Sequence, residues 1–206
     1  MAEEINLIVA GVGGQGSILA SHIIAMAAIK EGLRARVGET FGAAMRGGAV
    51  ASHVRIGKEV ASPLVPKGGA DVILALEPLE GLRTAVNFLK NGGLLITNVH
   101  PWLPVDVNIG RARYPTMEEI KEGVKKLGGR VIELDGTAIA QQAGNVRAMN
   151  SAMLGALAAT GMLPFSVEAL KEAVKENVPP KTIDVNLKAF DLGFERLKSI
   201  MVSAQS

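Results

Sequence analysis

Two short segments carry the residues best suited to chemistry. Gly11-Val12-Gly13-Gly14-Gln15-Gly16 satisfies G-x-G-x-x-G, in which glycines turn the chain sharply and bring backbone amides close to an anion at a helix N-terminus. Further on, Arg46 stands among Ala43, Ala44, Gly47 and Gly48. A guanidinium can grip phosphate or carboxylate through two bonds, and small neighbours let the backbone approach the same group. Each segment also has a plainer reading, a tight turn packed close to its strand and an ordinary exposed arginine in a glycine-rich loop.

Other side chains offer less. A dinucleotide fold wants an acid near the end of its second strand, and Glu39 is an imperfect candidate. His22 falls in the first helix pattern and His53 in a strand pattern. His100, beside Pro101 and Trp102, follows a strand at the end where α/β proteins place ligands. Their spacing gives no metal site, and none is expected. Glu77-Pro78 reads as a helix start, with the acid favoured by the helix dipole. Asn150, inside an otherwise apolar helix, must find hydrogen-bond partners if buried. No catalytic residue is assigned.

The elements that would position these residues follow from periodicity. Ile5–Ala10 is a continuous apolar run before the glycines, and an apolar segment reaches Lys30 after them: strand, turn, helix. Arg34–Glu39 reads as a second strand, giving a first β-α-β unit with parallel pairing. Ala49–Ile56, Ala70–Leu76, Gly93–Thr97 and Val131–Leu134 read as further strands, with a helix over Pro78–Leu89. Thr116-Met117-Glu118-Glu119 is a capping box for a solvated helix to about Leu127. Asn145–Thr160, apolar on every face, predicts a buried helix. Ser166 caps another, and Ile183, Leu187, Phe190, Phe194, Leu197 and Met201 form the packing stripe of a last one. The expected fold is a three-layer α/β/α, Rossmann-like single domain over 1–206, with a mainly parallel sheet and a helical C-terminal third.

Composition narrows the function classes. With 206 residues, 48% hydrophobic and 20% charged, the chain has ordinary globular usage, and its +2 net charge is spread along the sequence. Nucleic acid and membrane are not expected partners. The N-terminus shows no signal-peptide pattern, so a cytoplasmic location is expected. There are 0 cysteines. That excludes disulfides, thiolate nucleophiles and Cys-ligated iron–sulfur clusters within this sequence.

The two glycine segments in order, with Val37-Gly38-Glu39-Thr40-Phe41-Gly42 leading into the second, resemble the gamma domain shared by 2-oxoacid:ferredoxin oxidoreductases. Gly38-Glu39-Thr40, Ser62-Pro63-Leu64, Ala75-Leu76-Glu77-Pro78 and Arg113-Tyr114-Pro115 are similar to the beta subunits of the indolepyruvate branch. Arg46-Gly47-Gly48 is equally at home in gamma subunits of the pyruvate, 2-oxoisovalerate and 2-oxoglutarate enzymes. The resemblance implies a complex that oxidatively decarboxylates a 2-oxoacid to an acyl-CoA and passes electrons to ferredoxin. It implies a large alpha subunit carrying thiamine diphosphate, magnesium and iron–sulfur clusters; Asp135-Gly136 with Asn145 and Asn150 is too fragmentary a diphosphate motif to hold them here. This chain is then cofactor-free and inactive alone, with coenzyme A as the candidate ligand of Gly11, Gly13, Gly14, Gln15, Gly16, Arg46, Gly47 and Gly48. A self-sufficient NAD(P)-binding protein using Gly11, Gly13, Gly16 and Glu39, and a pure interaction module, remain the alternatives.

Overall fold

The computed structural model describes residues 4–42, 44 and 47–203. Arg46, with Ala43 and Met45, lies outside them. The strands are β1 (Glu4–Val12), β2 (Arg34–Phe41), β3 (Ala49–Gly57), β4 (Ala70–Ala75), β5 (Leu89–Asn98) and β6 (Arg130–Leu134). The helices are α1 (Ser17–Lys30), α2 (Pro78–Phe88), α3 (Val105–Asn108), α4 (Met117–Lys126), α5 (Gly136–Ala143), α6 (Met149–Ala159), α7 (Val167–Asn177) and α8 (Ile183–Ser203).

The strands form one sheet in the order β2-β3-β1-β4-β5-β6. β1, β4, β5 and β6 pair in parallel, whereas β3 runs antiparallel between β1 and β2. The expected direct pairing of the first two strands is therefore corrected. β2 keeps the direction of β1 but lies one strand away, because the β2–β3 hairpin folds its return strand into the gap. Periodicity located the strands and said nothing of this order.

Two apolar layers explain the continuous hydrophobic runs, since a strand covered on both faces has no polar side to alternate with. Leu7, Val9, Val54, Leu74 and Ile96 pack with α1 and α5–α8; Ile8, Ala10, Ile73, Ala75 and Leu95 pack with α2 and α4. The buried helix expected over Asn145–Thr160 is a 3-10 turn, Val146–Ala148, running into α6. α6 and α8 cross where Gly155 faces the Phe190 carbonyl and Gly193 the Ala152 carbonyl, with no room for a Cβ at either glycine. The capping box of α4 forms as read: Thr116 Oγ1 accepts from Glu119 N, and Thr116 N donates to Glu119 Oε2 at 2.8 Å. Ser166 caps α7. Short α3 and α5 were not read from the pattern; Asp135, accepting from Ala138 N at 2.8 Å, caps α5.

Candidate functional site

The carboxyl edge of the sheet gathers the motif residues. β1 ends at Val12, where the ladder to β3 continues one residue further: Gly13 N donates to Gly48 O at 2.8 Å and Gly47 N to Gly13 O at 3.3 Å. The two glycine segments thus form one surface, with Gly42 N bonded to Ala49 O closing the hairpin behind it. Arg46 belongs to this hairpin by sequence and lies outside the described residues.

The individual glycines do different work. Gly11 is buried inside β1, where a Cβ would crowd Gln15 Oε1 and Leu76. Gly14 and Gly16 have positive φ, 105° and 84°, a region that disfavours other residues. A Cβ at Gly14 or Gly47 would meet no atom of the described residues within 4 Å, so the space over both is open among them. Gly16 precedes α1, whose first turn carries no acid to repel an anion. Gln15 turns its side chain back onto its own loop: Oε1 accepts from Val12 N at 2.8 Å. Asn150, half-buried on α6, has Nδ2 donating to Gln15 O at 2.9 Å and Gly16 O at 3.2 Å, while its buried Oδ1 has no partner among the described residues.

Glu39 is not placed for a ribose. The strand beside β1 is β3, and Glu39 pairs with Ser52, which in turn pairs with Val9, leaving the acid about two strand spacings, roughly 10 Å, from β1. Its carboxylate meets His22 Nε2 at 3.3 Å. The NAD(P) alternative therefore loses its acid.

Glu77 does start α2 as read, accepting from Glu80 N at 2.8 Å. It is also 1% exposed and accepts from Trp102 N at 3.1 Å and from the Tyr114 hydroxyl. The structure thereby joins two segments singled out separately for their resemblance, Glu77-Pro78 and Arg113-Tyr114-Pro115. Burial, then the hydrogen bond to Glu77, raises the Tyr114 hydroxyl well above the ordinary phenol range, so it stays protonated and donates. Burial raises the Glu80 carboxyl, opposed by Arg83 at 2.6 Å. The Glu77–Tyr114 partnership was not legible in sequence, because a tyrosine that caps a distant acid leaves no spacing signal.

His100 sits at the same edge, with Nε2 3.1 Å from Asp135 Oδ1. His53 is a core residue: 1% exposed, with Nδ1 accepting from Val65 N at 3.3 Å and its ring edge-on to Phe88. Burial lowers its pKa and keeps it neutral. The Ser62-Pro63-Leu64 segment lies over Gly38 of β2, where a Cβ would come within 3.0 Å of Pro63. Among the described residues no three His, Asp or Glu side chains gather as a metal site, and no helix is long and apolar enough to cross a membrane.

The carboxyl edge of this α/β domain thus offers an open, glycine-lined helix N-terminus. Residues 6–196 match the family described as pyruvate ferredoxin/flavodoxin oxidoreductase, and the chain belongs to that family. It is 44% identical to an indolepyruvate oxidoreductase subunit IorB of Thermococcus kodakarensis over 97% of this chain and 98% of that one. It is 45% identical to the IorB subunit of Pyrococcus horikoshii, again over 97% and 98%. A solved keto/oxoacid ferredoxin oxidoreductase gamma subunit from Geobacter sulfurreducens shares its fold with a TM-score of 0.70 at 28% identity, covering 95% of this chain and 99% of that one.

Proposed function

We propose that the chain is the cofactor-free subunit of a ferredoxin-dependent 2-oxoacid oxidoreductase of the indolepyruvate/arylpyruvate type, active only with a large subunit. That subunit carries thiamine diphosphate, magnesium and iron–sulfur clusters; this chain, with 0 cysteines, has no thiolates for a cluster. The chain's own part is to receive coenzyme A. The observation that carries this is the Gly13–Gly48 junction, which brings both glycine segments to one open surface at the N-terminus of α1. The main-chain amides of Gly14 and Gly16, the helix dipole and Arg46 would hold the diphosphate, over a floor formed by the Gly13–Gly48 pairing. Coenzyme A supplies the thiol that accepts the acyl group; the glycine segments orient it and take part in no proton or electron transfer.

The test is reconstitution. Chain and large subunit are made separately and assayed for 2-oxoacid- and coenzyme-A-dependent reduction of ferredoxin. Activity only on mixing, with arylpyruvates preferred, is expected. Full activity of the large subunit alone would contradict the assignment, as would stoichiometric iron–sulfur absorbance in this chain alone.

A further inference from the structure

The glycine loop is shaped by a residue far from it in sequence. Asn150 Nδ2 donates to Gln15 O and Gly16 O across 135 and 134 residues. In a trans peptide the carbonyl and the following N–H point in opposite directions. Holding these two carbonyls toward α6 therefore aims the amides of Gly16 and Ser17 away from it. The carboxamide is oriented for its donors: Asn150 Oδ1 is buried with no hydrogen-bond partner among the described residues, and the reversed orientation would set that oxygen against two carbonyl oxygens. The fit is close, since a Cβ at Gly16 would lie 2.5 Å from Nδ2.

Asn150 is itself held firmly. Its helix crosses α8 at Gly155 and Gly193, and the neighbouring Ser151 donates to Asn186 Oδ1 at 2.7 Å. Asn186 Nδ2 in turn donates to Thr182 O at 2.8 Å. Gln15 Oε1, accepting from Val12 N, braces the other arm of the loop.

We propose that Asn150 is a positioning residue: the C-terminal helical half, through this one side chain, presets the glycine loop for its anionic ligand. The role of the preset loop rests on the coenzyme A reading above. The test uses Asn150→Ala and the isosteric Asn150→Asp in the full chain, followed by amide hydrogen exchange. Exchange at Gln15 and Ala20, whose amides bond Val12 O and Gly16 O, is expected to rise on the order of tenfold, the scale of losing one or two neutral hydrogen bonds, while β1 and α6 keep their protection. The Asp variant keeps the shape and loses the donors, so it separates hydrogen bonding from packing. Unchanged loop exchange, or uniform loosening of β1 and α6 with the loop, would overturn the proposal. In the reconstituted complex both variants are expected to raise the KM for coenzyme A by a similar factor, with a smaller change in kcat. A fall in kcat at unchanged KM would contradict positioning. A loosened loop with KM and kcat both unchanged would leave the Asn150 brace standing and overturn the coenzyme A reading instead.

Discussion

Tyr114 donates its hydroxyl hydrogen to Glu77 Oε1 across 37 residues, while the same phenolic oxygen accepts from Leu79 N at 3.2 Å. The pair ties the chain after β5 to the carboxyl end of β4 and closes the N-terminus of α2. Removing the hydroxyl would leave a buried carboxylate short of a donor. Tyr114→Phe is expected to lower stability by about 1.5–3 kcal/mol, seen as a lower urea midpoint with unchanged slope.

The same pair sets an alkaline limit. Tyr114's folded pKa is raised above its ordinary 10.0, so above about pH 10 the native chain keeps a proton the unfolded chain has lost. Stability present below that pH then falls as pH rises. Tyr114 is the sole tyrosine, so phenolate absorbance reports it alone. Ionisation is expected only together with unfolding; a titration near pH 10 in a chain of native circular dichroism would refute the Glu77 bond.

At the acid end, Arg113 and the Thr116 amide hold the Glu119 carboxyl down to about 2, from an ordinary 4.5. A depressed carboxyl contributes above its unfolded value, and the contribution is lost as pH falls from about 4.5 toward 2. Carboxyl NMR should place Glu119 in that range, with the first turn of α4 fraying as it protonates. Arg113→Ala should move the titration upward.

The crossing of α6 and α8 has no room for a side chain. Gly193→Ala or Gly155→Ala should push the helices apart and cost about 1–3 kcal/mol or more in thermal or urea unfolding.

Most of this fold was legible in the sequence. Strands buried on both faces show as unbroken apolar runs, and caps such as Thr116 and Ser166 announce helix starts locally. Strand order was not legible, because the insertion of β3 between β1 and β2 depends on how a hairpin packs and not on any period. The site divided along the same line. The glycines that must turn the chain are visible in one dimension. Asn150 was marked only by being polar in an apolar helix, and its target could not be named. The Glu77–Tyr114 bond left no signal.

α1 is apolar on every side, yet Ile18, Leu19, Met26 and Ile29 stand exposed along it. Helices of that composition are normally covered. The isolated chain is expected to self-associate or bind a hydrophobic dye, and to lose both properties on adding the large subunit. A strictly monomeric chain that binds no dye would count against the subunit assignment.

Whether the joined glycine segments receive coenzyme A is read from the coenzyme A dependence of the reconstituted complex carrying Gly13→Val or Arg46→Ala. Valine at position 13 should block close approach of the ligand to the main chain, and removing the guanidinium should forfeit a charge-assisted contact of roughly 1.5–3 kcal/mol. Assembly is expected to stay intact while the KM for coenzyme A rises about ten- to a hundredfold. Intact assembly with unchanged coenzyme A dependence in both variants would contradict it and leave the glycine segments as a surface shaped only for the partner.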